Sequence, residues 1–87
     1  MIIIRDIEPK AKLHYLCIPK THFALLKEMD EEKTALLGRC FAKISSLEEQ
    51  LGLEAGYRVI INQGENGGQT VHHLHIHLLG GEKLGDF

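Results

Sequence analysis

Residues 71–79 read Val71-His72-His73-Leu74-His75-Ile76-His77-Leu78-Leu79, and this stretch decides both the fold and the place of its chemistry. As a β-strand it alternates faces, so Leu74, Ile76 and Leu78 point one way and His73, His75 and His77 the other. The aliphatic face demands a packing partner, which leaves the imidazoles on the opposite face. His72 falls on the aliphatic side of the alternation, as a strand-edge or hydrogen-bonded histidine. One histidine on a strand is an ordinary tolerated polar residue. Three at strict alternation, each flanked by an aliphatic, mark a built array.

The packing partner is a helix that begins at Asp30, a good N-cap, followed by Glu31 and Glu32 at the positive end of its dipole. Leu37, Cys40, Phe41, Ile44, Leu47 and Leu51 form its apolar stripe, and Gly52 stands where a left-handed residue ends a helix. Further strands are expected at residues 2–5, at residues 13–18 before Pro19, and at residues 57–62 (YRVIIN). On the second of these, Leu13, Tyr15 and Cys17 share one face, and His14, Leu16 and Ile18 the other. Thr21 caps a short helical turn through Phe23, Leu25, Leu26 and Met29. A glycine-rich hairpin loop, residues 63–69, joins the last two strands. The order β-β-α-β-β predicts an α+β domain with an antiparallel sheet of four to five strands and one main helix.

The chain has 87 residues, enough for one domain spanning residues 1–87. A core this small is marginal and favours a partner subunit. With 10 Lys plus Arg against 12 Asp plus Glu, the net charge is −2. That lacks the basic field that holds nucleic acid. No apolar run approaches the roughly 20 residues of a membrane helix, and Met1-Ile2-Ile3-Ile4 is too short for a signal peptide. Cys17 and Cys40 lie in apolar periodic stretches and read as reduced core residues of a cytoplasmic protein.

Two chemistries use an array of neutral imidazoles: metal ligation and nucleophilic attack at phosphorus. The loop next to the array leans towards phosphorus. Gly64, Gly67 and Gly68 let backbone N–H groups approach an anion, and Gln69 and Thr70 add side-chain donors. On the residues alone, both chemistries stay open.

The stretch His73-Leu74-His75-Ile76-His77-Leu78-Leu79 resembles the signature of the histidine triad (HIT) family. Gly67-Gly68-Gln69-Thr70-Val71 and Gly80-Gly81 are similar to its Hint-like branch of purine nucleoside phosphoramidases. Asp6-Ile7-x-Pro9, His14-Tyr15-Leu16-x-Ile18-Pro19-Lys20-x-His22, Leu51-Gly52-Leu53, Gly56-Tyr57-Arg58 and Asn62 extend the likeness over nearly the whole chain. The resemblance implies that His75 attacks the α-phosphorus, with His73 orienting it through its backbone carbonyl. His77 then stands near the phosphate oxygens and leaving group, and His14 is the fourth histidine of the site. Thr70, Asn62 and the N–H groups of Gly68 and Gln69 bind phosphate, Asp6 binds the ribose hydroxyls, and Ile7 lies beside sugar and base. The same resemblance implies no metal or cofactor, a purine nucleotide substrate, and a homodimer joined through the helix and the edge at residues 57–62. It also marks the chain as short at its N-terminus, with Ile4 where an aromatic residue is common, and without a Trp-containing tail after Gly85-Asp86-Phe87. A catalytically weak nucleotide-binding or scaffold protein and a histidine-ligated metalloprotein are the alternatives.

Overall fold

The computed structural model describes residues 1–86; Phe87, the end of the tail noted above, lies outside the described residues. Strands β1 (Ile2–Arg5) and β2 (Leu13–Ile18) are followed by a 3-10 turn (Leu26–Glu28) and helix α1 (Glu31–Leu47). Strands β3 (Tyr57–Ile60) and β4 (Ile76–Gly80) complete the domain. All neighbours pair antiparallel in the order β1-β2-β4-β3, so the last strand is central. This is the α+β architecture that the sequence pattern predicts, with four strands.

Helix α1 starts where the cap chemistry places it, with Asp30 Oδ1 accepting the Lys33 N–H at 2.8 Å. Its buried residues Leu37, Cys40 and Ile44 join Tyr15, Cys17, Ile76 and Leu78 in the core. Cys17 and Cys40 are both buried and free. Burial, with Cys40 nearby, pushes the Cys17 thiol up to about 11, which keeps it protonated and unreactive. Among the described residues no helix is long and apolar enough to cross a membrane.

Three boundaries differ from the sequence pattern, each for a local reason. Helix α1 stops at Leu47 rather than near Leu51. The chain turns there to bury Leu53, whose N–H reaches the Glu48 carbonyl at 2.8 Å, while the Leu51 carbonyl accepts the Tyr15 hydroxyl. Gly52 adopts φ +76°, the left-handed conformation expected of it. Phe41 remains 41% exposed, whereas Leu37, Cys40 and Ile44 of the same stripe are buried.

Strand β3 ends at Ile60 and β4 begins only at Ile76, so residues 71–75 are not strand. Strand β2 ends at Ile18 before Pro19, and its last partner on β4 is Ile76. The Leu74 N–H therefore turns to the Phe23 carbonyl, at 2.7 Å. Even so, burial alternates as the pattern requires: Leu74, Ile76 and Leu78 are buried, and His73, His75 and His77 are half-buried.

Leu78 is fully buried on the central strand, opposite Tyr15 and Val59. Leu78→Ala is expected to cost about 2–5 kcal/mol of unfolding free energy, measured by urea denaturation, because the paired backbone around it cannot collapse into the cavity.

Candidate active site

The register builds the site on the sheet face opposite α1. Leu16 faces His77 across β2 and β4, and Ile4 faces Leu16, which places His14 diagonal to His77 on the same face. The His14 and His77 ring centroids are 5.1 Å apart, and those of His75 and His77 5.0 Å. His14 is buried, 5% exposed, and is the one polar residue among the buried side chains described. The Asp6 N–H bonds the His14 carbonyl at 2.9 Å, and the Asp6 Oδ2 lies 3.5 Å from His14 Nε2.

Hydrogen-bond partners fix which ring nitrogen carries the proton. A carbonyl only accepts, so the contact between His75 Nδ1 and the His73 carbonyl, 2.9 Å, requires Nδ1–H on His75. Its Nε2 then holds a free lone pair. On His14, Nδ1 accepts the Lys10 N–H at 3.1 Å, so the neutral ring carries its proton on Nε2. That proton faces His77 Nδ1 at 2.9 Å, which leaves the neutral His77 ring with its own proton on Nε2. The array thus presents a nucleophilic lone pair on His75 beside an N–H donor on His77.

His73 is turned away from this pair. Its Nε2–H donates to the Pro19 carbonyl at 2.8 Å, and its Nδ1 lies 2.9 Å from Nδ1 of His22. His22 belongs to no alternation or cluster in the sequence. Its proximity to His73 arises from the turn after Pro19, and the run Pro19-Lys20-Thr21-His22 was its one signal. His72 is exposed, away from the aliphatic side on which the alternation puts it.

The glycine-rich loop is built on itself. Gly68 N–H donates to the Glu65 carbonyl and Gln69 N–H to the Gly64 carbonyl, each at 3.0 Å. The Gln69 amide reaches the Ala24 carbonyl at 3.0 Å, and the Asn62 amide holds the Gly67 carbonyl at 2.7 Å. The donors expected to face phosphate at Asn62, Gly68 and Gln69 are therefore engaged within the loop and with the neighbouring turn, since each neutral loop carbonyl needs a partner. A Cβ at Gly67 would sit 2.2 Å from the Gln63 carbonyl oxygen, so the loop closes only around glycine there. Thr70 is exposed, and Ile7, just beyond β1, is 95% exposed.

The HIT domain family model matches residues 1–84. The chain belongs to the HIT family. An uncharacterized HIT-like protein of Synechococcus elongatus is 49% identical over 83 residues, covering 95% of this chain and 73% of its own. The crystal structure of a HIT family hydrolase from Legionella pneumophila superposes with a TM-score of 0.88 at 39% identity, covering 95% of this chain and 75% of that one. A histidine triad nucleotide-binding protein from Candida albicans gives a TM-score of 0.74 at 29% identity, covering 98% and 68%.

In this HIT chain, Asp6, His14 and His77 bring one potential ligand atom each within 4.8 Å of one another. The tautomers argue against a cation there. A ligating imidazole nitrogen must be bare, whereas the Lys10 N–H on Nδ1 keeps the proton of His14 on Nε2. A cavity of about 620 Å³ between Gly52, Ala55–Arg58 and Gly81–Leu84 has no histidine in its lining. The histidine array lies on an open sheet face instead.

Burial holds the His77 imidazole below its ordinary value, helped by His75 and His14 and opposed by Asp6. The unfolded ring takes a proton near ~6.5 and the folded ring only at lower pH. Between those values the unfolded state binds more protons, so the contribution of His77 to stability is lost as pH falls. An NMR titration is expected to show His77 protonating below ~6.5; a midpoint at or above that value would contradict the buried, neutral pair.

Proposed function

We propose that this HIT domain is a nucleotide hydrolase or transferase that cleaves purine nucleoside 5′-phosphoramidates through a nucleotidyl-His75 intermediate. The observation that carries the reading is the Nδ1–H of His75 on the His73 carbonyl, at 2.9 Å. It leaves Nε2 as the attacking lone pair and places a carbonyl dipole where positive charge develops on the ring. The similar Legionella protein is a HIT family hydrolase and the similar Candida protein a histidine triad nucleotide-binding protein, which supports the same class.

In this reading His75 Nε2 bonds to the α-phosphorus as the P–N bond breaks, and the nitrogen departs as an amine after protonation from solvent. Water then displaces His75, releasing the nucleoside monophosphate and restoring the neutral imidazole. His77 Nε2–H is a hydrogen-bond donor to the phosphate oxygens or the departing nitrogen, with His14 setting its tautomer. Asp6 is the ribose-binding carboxylate at the mouth of the site. Ile4 and Ile7, 47% and 95% exposed, offer apolar surface to the base. Thr70 donates its hydroxyl to phosphate, and Asn62, Gly68 and Gln69 shape the loop that borders it. No metal takes part.

A homodimer joined through α1 and the β3 edge suits so small a core, and the two buried free thiols suit a reducing, cytoplasmic compartment. The inward-turned amides of Gly68 and Gln69 favour one second reading, a domain that binds nucleotide with little turnover.

On a fluorogenic adenosine 5′-phosphoramidate without added metal, His75→Ala is expected to lower turnover at least ~10²-fold. Equal turnover by parent and variant would overturn the assignment of His75. Nucleotide binding without turnover by the parent would select the second reading.

A further inference from the structure

Strand β1 is an outer strand of the sheet, paired with β2 alone. The Asp6 N–H, just past its end, bonds the His14 carbonyl of β2 at 2.9 Å. Backbone groups alternate direction along an antiparallel strand, so those of Ile4 and Ile2 also turn to β2. The N–H and C=O groups of Ile3 and Arg5 therefore face outward along an open edge. Natural edges are blunted by charge, proline or a bulge. Ile2-Ile3-Ile4 carries none of these, and the Arg5 guanidinium leans inward over the Tyr15 ring, 5.5 Å from its centroid.

Helix α1 runs beside that edge and leaves a groove with it. A cavity of about 290 Å³ is lined by Met1 and Ile3 from the strand and by Leu36, Arg39, Cys40 and Lys43 from the helix. Met1, Ile3 and Leu36 are half-buried and Cys40 is buried, which makes the floor apolar. Arg39 and Lys43 stand one helical turn apart and exposed. Neither is in an ion pair among the described residues. On the opposite face of the strand, Ile2 and Ile4 are exposed as well.

A ligand for this place needs three properties. It presents extended backbone to Ile3 and Arg5, apolar side chains to the groove, and carboxylates to Arg39 and Lys43. A second copy of β1 supplies only the first two, because residues 1–5 hold no carboxylate. Antiparallel twofold pairing would also bring Arg39 and Lys43 of both copies to the same face, cation beside cation.

We propose that β1 takes up an extended, acidic segment of another protein as an added strand, with its backbone on Ile3 and Arg5 and its carboxylates on Arg39 and Lys43. The inference stands apart from the reaction proposed above.

The probe is the N-acetylated, C-amidated hexapeptide Glu-Thr-Leu-Val-Glu-Thr, whose glutamates and leucine share one face when extended. Two control peptides accompany it, one with Lys for each Glu and one N-methylated at its leucine and valine. The acidic peptide is expected to shift the Ile3 and Arg5 amides of ¹⁵N-labelled protein and, at saturation, to slow their hydrogen exchange at least about tenfold. Both control peptides should bind at least about tenfold more weakly. The same loss is expected for the acidic peptide on an Arg39→Glu, Lys43→Glu double variant, whose exposed helix positions accept glutamate. No shift at β1, or shifts confined to β3, would overturn the proposal. Equal binding of the lysine peptide would overturn its charge selection. Equal binding of the N-methylated peptide would overturn strand addition and leave a site for any anionic amphiphile. Protection of the Ile3 and Arg5 amides without peptide, rising with protein concentration, would give the edge to a second copy instead and overturn it too.

Discussion

Strand β4 pairs with β2 in a register that sets Leu16 against His77 and Tyr15 against Leu78, and both the core and the site depend on it. Leu78 and Ile76 are driven under α1, so His77 has no choice but to face outward beside His14. A slip of one residue would bury the imidazoles and expose the aliphatics. Burial of Leu74, Ile76 and Leu78 thus aims the histidines. Each buried aliphatic side chain contributes roughly 1.5–3 kcal/mol, so this hydrophobic term sets the register that the half-buried rings follow.

Packing alone would give a cluster of rings with interchangeable protons. Direction comes from backbone groups whose roles cannot be reversed: the Lys10 N–H on His14, the His73 carbonyl on His75, and the Pro19 carbonyl on His73. Each forces one tautomer, and the neighbouring ring inherits the complement. The result separates an acceptor on His75 from a donor on His77 within a 5.0 Å ring separation. The same assignments put a proton on His14 Nε2, where a cation shared with Asp6 and His77 would need a bare nitrogen.

Much of this was legible in the chain because period-two alternation records which side chains are buried. It does not record whether the backbone has a partner. Residues 71–75 alternate like a strand, yet β2 runs out at Ile18 before Pro19 and the Leu74 N–H goes to the Phe23 carbonyl. The end of α1 is likewise hidden, because the stripe continues through Leu51 while the chain turns to bury Leu53. His14 could be paired with the array from strand register, but His22 could not, since a turn delivers it. The loop donors at Gly68 and Gln69 are glycine-rich in sequence and self-satisfied in structure, a matter of turn geometry that composition does not encode.

The central claim is that the carbonyl of His73 leaves Nε2 of His75 as the attacking atom. Rapid-quench mass spectrometry during turnover of an adenosine phosphoramidate, with peptide mapping at neutral or alkaline pH, tests it most directly. A nucleotidyl group on His75, formed and lost at rates that match turnover, is the expected result. Turnover with the group on another residue, or with no covalent adduct under conditions that preserve one, would contradict it.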